Sequence, residues 1–489
     1  MSSLASAAAR GGGITIASQF VKVVLMLGST IVLARLLNPT DYGLVAMVVA
    51  VVGVGEIFRD FGLSMAALQA KSLSQAQQSN LFWINSAVGF TLGVLFFAAS
   101  YPLAAFYNQP DVAIITQALS VTFVLGGLST QFKVHINRDL RFVALAIADL
   151  LPYALGIGGA IAIAAVYANF WALVAQQLIV AAGTLIFSFA LTRWRPGLPR
   201  RVPMDGLISF GASFAGTQII SYLTRNIDSL LIGKVWGSTS LGYYDRAYNL
   251  VVLPLTQINT PMSRVAVPVL ARIAEEQDRF VSYLRRAQLV ALYVTSSIFA
   301  LLFALGTPLV IAVLGEQWAP AGPILSILAV SGIFRSLVQV AYWVYMSQGL
   351  ATAQLRFYLV AQPLLVGVIA CGVPFGPLGV AVAVSLGYAL FWIASLAWVR
   401  RVTKLHLGVL YVDALRALGL VAVPMAAAAF GVRLLVEGAG GVPLLVVVLG
   451  GVAALVWAAL AFLFFPRVRA DASQLIDFGR RAIGGRRNG

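Results

Sequence analysis

The chain has 489 residues, 60% of them apolar and 10% charged, with a formal net charge of +16 and a mean hydropathy of +0.91. Soluble globular chains run at about 45–50% apolar and about 25% charged, so an ordinary water-soluble domain is excluded and lipid must be the main solvent. The single Cys371 excludes an intramolecular disulfide and redox chemistry built on one.

Taken in chain order, the long apolar runs predict helices over 13–34, 42–62, 81–106, 112–130, 142–166 and 168–191. A second set follows over 207–233, 240–270, 287–315, 319–348, 353–374 and 377–400, and two more over 413–435 and 442–465. The first run is longer than a signal-peptide core and lacks a small-residue cleavage site after it, so it reads as a retained helix. At roughly 20 residues per crossing, fourteen helices need about 280 residues, which fits the apolar share; twelve or thirteen stay open because the joins near Ala168 and Phe375 are short. The fold class expected is an all-α polytopic membrane protein.

Lys and Arg collect in cytoplasmic loops. Twenty-five of the 33 fall in the N-terminus, alternate loops and the tail, from Arg10, Lys71, Lys133, Arg138 and Arg141 through Arg285, Arg286 and Arg416 to Arg487. The opposite loops hold only Arg35, Lys234 and Arg433. Both termini of a multi-pass membrane protein are therefore expected in the cytoplasm. The net charge is mainly a topology signal with some attraction to anionic lipid, and no aromatic-interleaved basic module argues for nucleic acid.

At an offset of 199, helix one aligns with helix seven without a gap. Ser18-Gln19 falls on Thr217-Gln218, Arg35 on Lys234, Thr40 on Thr239 and Gly43 on Gly242. The pattern suggests two six-helix lobes in the same orientation, the parallel repeat of some transporters. The expected organisation is an N-lobe over 1–192, a basic linker over 193–206 (opening Arg193-Trp194-Arg195-Pro196-Gly197), a C-lobe over 207–401, helices thirteen and fourteen within 402–466, and a basic tail over 467–489.

Five basic residues are left inside predicted helices: Lys22, Arg225, Arg246, Arg264 and Arg335. Each is costly against lipid, so each should face a cleft, a partner or an interface. Lys22 lies near mid-membrane, roughly 13 Å into helix one at 1.5 Å per residue. Arg225 and Asp228 share a helix face at i,i+3, and Asp245-Arg246 offers a second pair. Glu56, Arg59 and Asp60 cluster at the cytoplasmic end of helix two. Structural pairing or snorkelling competes with function for Arg59, Asp60 and Arg264; Asp149 in helix five is a further acid, expected to pair locally. The basic excess implies a cleft that accepts an anion such as a diphosphate, for which the Arg fork is suited.

No Gly-rich phosphate loop followed by Lys-Ser/Thr is present, which argues against ATP hydrolysis. His135 and His406 fall in predicted loops, and Glu276-Gln277-Asp278 reads as a solvated charged loop rather than a metal motif. No catalytic residue, metal or cofactor is expected, and the short outer loops disfavour a membrane ligase or polymerase.

Three stretches, LARLLNPTDYGLVAM at 33–47, EIFRDFGLSMAALQA at 56–70 and LGYYDRAYNLVVLPL at 241–255, resemble the polysaccharide transporter family. These are Wzx-type lipid-linked oligosaccharide flippases of the multidrug/oligosaccharidyl-lipid/polysaccharide exporter superfamily, and the likeness is greatest to members serving colanic acid or succinoglycan-type export. The resemblance implies translocation of an undecaprenyl-diphosphate-linked oligosaccharide across a bacterial inner membrane by alternating access, with membrane lipid and polysaccharide polymerase or chain-length proteins as partners. It also implies that Arg35 and Asp41 anchor the first outer turn. A cation-coupled small-molecule exporter of the same superfamily is the alternative.

Overall fold

A computed structural model describes residues 2–60, 62–69 and 73–471, with side chains from residue 13 onward except at 69 and at most positions over 205–223. Lys71 and the tail over 472–489 lie outside the described residues, as does the Arg10 side chain. Every regular element described is helical. Residues 1–242 and 243–489 form two compact units.

The first unit contains α1 (Ser2–Leu36), α2 (Pro39–Asp60), the short α3 (Leu63–Gln69), α4 (Gln75–Tyr107), α5 (Asp111–Arg138), α6 (Phe142–Tyr167), α7 (Trp171–Leu191) and the first arm of α8 (Asp205–Arg272). Helices α4 and α5 form one hairpin and α6 and α7 another, with α1 against α6 and α2 against α5. Local chemistry sets the ends. Ser74 and Gln77 form a reciprocal capping box at the start of α4, and Asn108 closes it in the left-handed region, where Asn is tolerated. Helix α5 runs about two turns past the predicted 130, so Lys133, His135 and Arg138 are helical rather than in a loop. The extension places Lys133 Nζ 2.5 Å from the Asp149 carboxylate of α6, which accounts for Asp149 by local pairing.

The proline-bearing linker after α7 is laid along the start of α4. Ser79 Oγ accepts from the Gly197 N–H at 2.9 Å, Trp83 Nε1 donates to Gly197 O at 2.9 Å, and Asn80 exchanges two bonds with the backbone of Arg200. Trp194 is buried beside Phe82 and Phe132. Polar side chains of α4 thus satisfy backbone that cannot bond itself, because Pro196 and Pro199 interrupt regular structure.

Helix α8 is two helices joined at Gly237, whose φ of 79° and ψ of −177° only glycine adopts without strain. The break falls between the predicted runs 207–233 and 240–270. Immediately after it, the positions paired by the 199-residue offset meet: Thr40 and Thr239 hydroxyls lie 2.8 Å apart. A Cβ on Gly43 would overlap the Ser238 carbonyl, and one on Gly242 would overlap the Pro39 carbonyl. The offset carries Gly43 onto Gly242 and Pro39 onto Ser238, so this backbone contact maps onto itself.

The second unit contains the later arm of α8, then α9 (Gln277–Leu314), α10 (Ala321–Ser347), α11 (Ala351–Gly372), α12 (Gly376–Thr403), α13 (Gly408–Ala417), α14 (Val423–Gly438) and α15 (Pro443–Phe464). Helix α10 packs on α9 and α12, and α14 and α15 pack on each other and on α9. A π turn over Leu418–Ala422 joins α13 to α14. Its cause is Pro424, which has no N–H for the Leu420 carbonyl four residues back; Trp457 Nε1 of α15 donates to that carbonyl at 3.3 Å instead.

Length and apolarity count eleven candidate membrane spans among the described residues, not fourteen. One, Ala351–Thr403, holds both α11 and α12, and α8 is not among the eleven because its polar residues dilute its hydropathy.

Candidate functional site

The later arm of α8 is unusually polar for a helix among apolar neighbours, and α10 presents a matching face. Arg335, Gln339 and Tyr342 follow at i, i+4 and i+7, the spacing that stacks side chains on one side of a helix. The Arg335 guanidinium donates to the Tyr248 hydroxyl at 3.1 Å and lies 5.2 Å from that ring centroid and 4.9 Å from that of Tyr388. Two aromatic faces around one guanidinium contribute about 0.5–2 kcal/mol each, which holds the charge in place inside the bundle.

One turn along, Gln339 meets Ser263. Ser263 Oγ accepts from Gln339 Nε2 at 3.0 Å and from Trp343 Nε1 at 2.8 Å, and donates to the Asn259 carbonyl at 2.8 Å. Around this hub lies a cavity of about 340 Å³ lined by Asn259, Thr260, Ser263, Arg264, Gln339 and Tyr342. All six are polar, and the volume falls within the about 300–1,000 Å³ of ligand pockets. Asn259 Oδ1 is buried without a hydrogen-bond partner, at a cost of about 1–3 kcal/mol. Arg264 has no acidic partner among the described residues. The arrangement can receive a polar ligand carrying an anionic group.

The other candidates from the sequence are placed separately. Asp245 and Arg246 pair with each other at 2.6 Å, and Asn249 donates to the same carboxylate at 3.1 Å, so the pair is internally neutralised. Lys22 is exposed on α1 with its Nζ 5.6 Å from the Tyr153 centroid. Arg225 is exposed, while Asp228 is buried and accepts from the Ser229 N–H at 2.9 Å. Arg59 pairs with Glu56 at 2.6 Å, and Asp60 accepts from Ser64; the charges of the cluster pair locally at the end of α2, while Arg59 Nε is buried without a partner. Asp41 accepts from the Asn38 N–H at 3.1 Å and from the Phe170 N–H at 3.0 Å, tying the start of α2 to the α6–α7 turn.

Two features lie outside the set of charges within predicted helices. The amides and hydroxyls of the cavity are visible in the sequence, but nothing marks which of many such residues converge. The other is a network in the second unit. Asp413, 1% exposed, takes both oxygens to Arg285 and lies 3.2 Å from Arg416, which also holds Asp471 at 2.7 Å. Tyr293 donates to Asp471 at 2.8 Å. Arg285 and Arg416 had the appearance of topology signals, yet they join α9, α13 and the segment after α15.

These helices and this cavity define a multi-pass membrane protein of a known architecture. The fold matches a structure of the lipid II flippase MurJ in an inward closed conformation, with a TM-score of 0.68 at 13% identity, covering 92% of this chain and 98% of that one. Residues 32–323 match the model of the family described as polysaccharide biosynthesis protein, and the chain belongs to that family. It is 29% identical over 307 residues to the teichuronic acid biosynthesis protein TuaB of Bacillus subtilis (strain 168), covering 62% of this chain and 63% of that protein. The lipopolysaccharide biosynthesis protein WzxC of Escherichia coli (strain K12) is 26% identical over 372 residues, 74% of each. The alignment thus spans less than two thirds of TuaB.

Proposed function

We propose that the protein is a flippase that carries undecaprenyl-diphosphate-linked polysaccharide repeat units from the cytoplasmic to the periplasmic leaflet of a bacterial inner membrane. Transport proceeds by alternating access of the two six-helix lobes expected over 1–192 and 207–401, with both termini cytoplasmic. The observation that carries the reading is the polar cavity bearing Arg264, which has no acidic partner among the described residues, with Arg335 one turn from Gln339 on the same face of α10. Membrane-embedded cations are expensive and mark substrate pathways. Lys22 and Arg225 are the corresponding candidates in the first unit. The diphosphate engages guanidinium groups while the polyprenyl tail stays in lipid, and transport needs no catalytic residue. Polysaccharide polymerase and chain-length proteins would receive the product.

Deleting the gene tests this. The expected result is loss of surface polysaccharide together with accumulation of lipid-linked repeat units protected from external reagents. Normal polysaccharide with heightened sensitivity to cationic drugs would overturn it in favour of a small-molecule exporter.

A further inference from the structure

Resting on the flippase reading, we propose that the cavity between the later arm of α8 and α10 is the site that reads the glycan portion of the cargo. It recognises sugar hydroxyls, with Arg264 placed for an acidic substituent. The argument comes from which hydrogen-bonding capacity is spent and which is left. Ser263 is saturated by Gln339 Nε2, Trp343 Nε1 and the Asn259 carbonyl. Because Gln339 spends a donor on Ser263, its Oε1 remains as an acceptor, and Asn259 Oδ1 is buried with no partner. Two amide oxygens therefore ask for donors from a ligand.

That requirement selects among ligand classes. A diphosphate offers only acceptors: it can engage Arg264 but leaves both amide oxygens without a donor. A metal cation would meet Arg264 and no carboxylate in the lining. An apolar drug would offer no donor to Asn259 Oδ1 or Gln339 Oε1 and no partner to Arg264. A polyhydroxyl ligand both donates and accepts: hydroxyls can donate to Asn259 and Gln339, Thr260 can bond in either sense, and the Tyr342 ring can cover an apolar sugar face. A uronate or similar group would complement Arg264. The cavity, about 340 Å³, is far larger than the roughly 30 Å³ share of one water. Sites built to bond hydroxyls discriminate strongly, because an analogue lacking one leaves buried groups unpaired.

The test uses the full-length protein purified in detergent and two probes. One is the host's repeat-unit oligosaccharide released from its lipid by mild acid, so that it carries neither diphosphate nor polyprenyl chain; the other is inorganic diphosphate. Isothermal titration is expected to show oligosaccharide binding to the wild type, weakened at least tenfold in Ser263→Ala/Gln339→Ala, with diphosphate binding unchanged. Should that variant fail to fold, Asn259→Ala removes an oxygen that bonds nothing in the protein and carries the same comparison. No oligosaccharide binding to the wild type, or equal binding to the variants, overturns the proposal. Failure of the flippase reading would appear separately, as a deletion strain without accumulated lipid-linked intermediates.

Discussion

Charged side chains in this chain divide by what surrounds them. Arg335 is held by two aromatic rings and a phenol hydroxyl, an arrangement that suits a planar guanidinium and not an ammonium. Arg335→Ala should lower polysaccharide export severalfold at equal membrane protein level, and Arg335→Lys should recover only part of it; full export in both would remove Arg335 from the pathway. Asp413 is the opposite case, a buried carboxylate whose removal leaves Arg285 and Arg416 facing each other. Breaking such a group from one side costs about 3–5 kcal/mol. Asp413→Ala should therefore lower the melting temperature in detergent sharply, while Glu276→Ala, which removes an exposed surface pair with Arg279, should leave it nearly unchanged. The sequence displayed each of these charges. It could not separate them, because Arg285 and Arg416 lie in the same kind of basic cluster as residues that only orient the chain.

At the scale of the element, helix ends and breaks were mostly legible. Gly237 falls where the apolar pattern lapses, and Gly237→Ala should cost about 1–3 kcal/mol because its φ lies outside the range of other residues. The π turn before α14 was not legible, since Pro424 alone predicts a kink but not how it is satisfied. The exchange of the Leu420 carbonyl from Pro424 to Trp457 makes a coupled prediction. Trp457→Phe should cost about 1 kcal/mol in the wild type. In a Pro424→Ala background it should cost close to nothing, because the backbone N–H regained at position 424 can itself donate to Leu420; equal costs in both backgrounds would refute the exchange.

For the whole molecule, the proposed orientation rests on the asymmetry of Lys and Arg and is tested at two exposed positions. In a Cys371→Ser background, Phe375→Cys, in the short turn between α11 and α12, should react with a membrane-impermeant thiol reagent in spheroplasts. Leu198→Cys in the linker should react only after the membrane is opened. Both residues are 78% exposed, so the contrast reports the side of the membrane, and the reversed pattern would invert the topology.

By itself the sequence determined the helical class, the membrane as solvent, the 199-residue correspondence and the kinship with the polysaccharide biosynthesis family. These depend on composition, periodicity and short motifs, which are local properties of the chain. Only the tertiary structure decided which polar residues matter together. It brought Lys133 of α5 to Asp149 of α6, and it gathered Asn259, Ser263, Arg264 and Gln339 around one cavity. The reason is physical: the cost of a polar group in a bundle depends on the partners within about 3 Å of it, and residues 76 positions apart, such as Ser263 and Gln339, become partners only when helices pack.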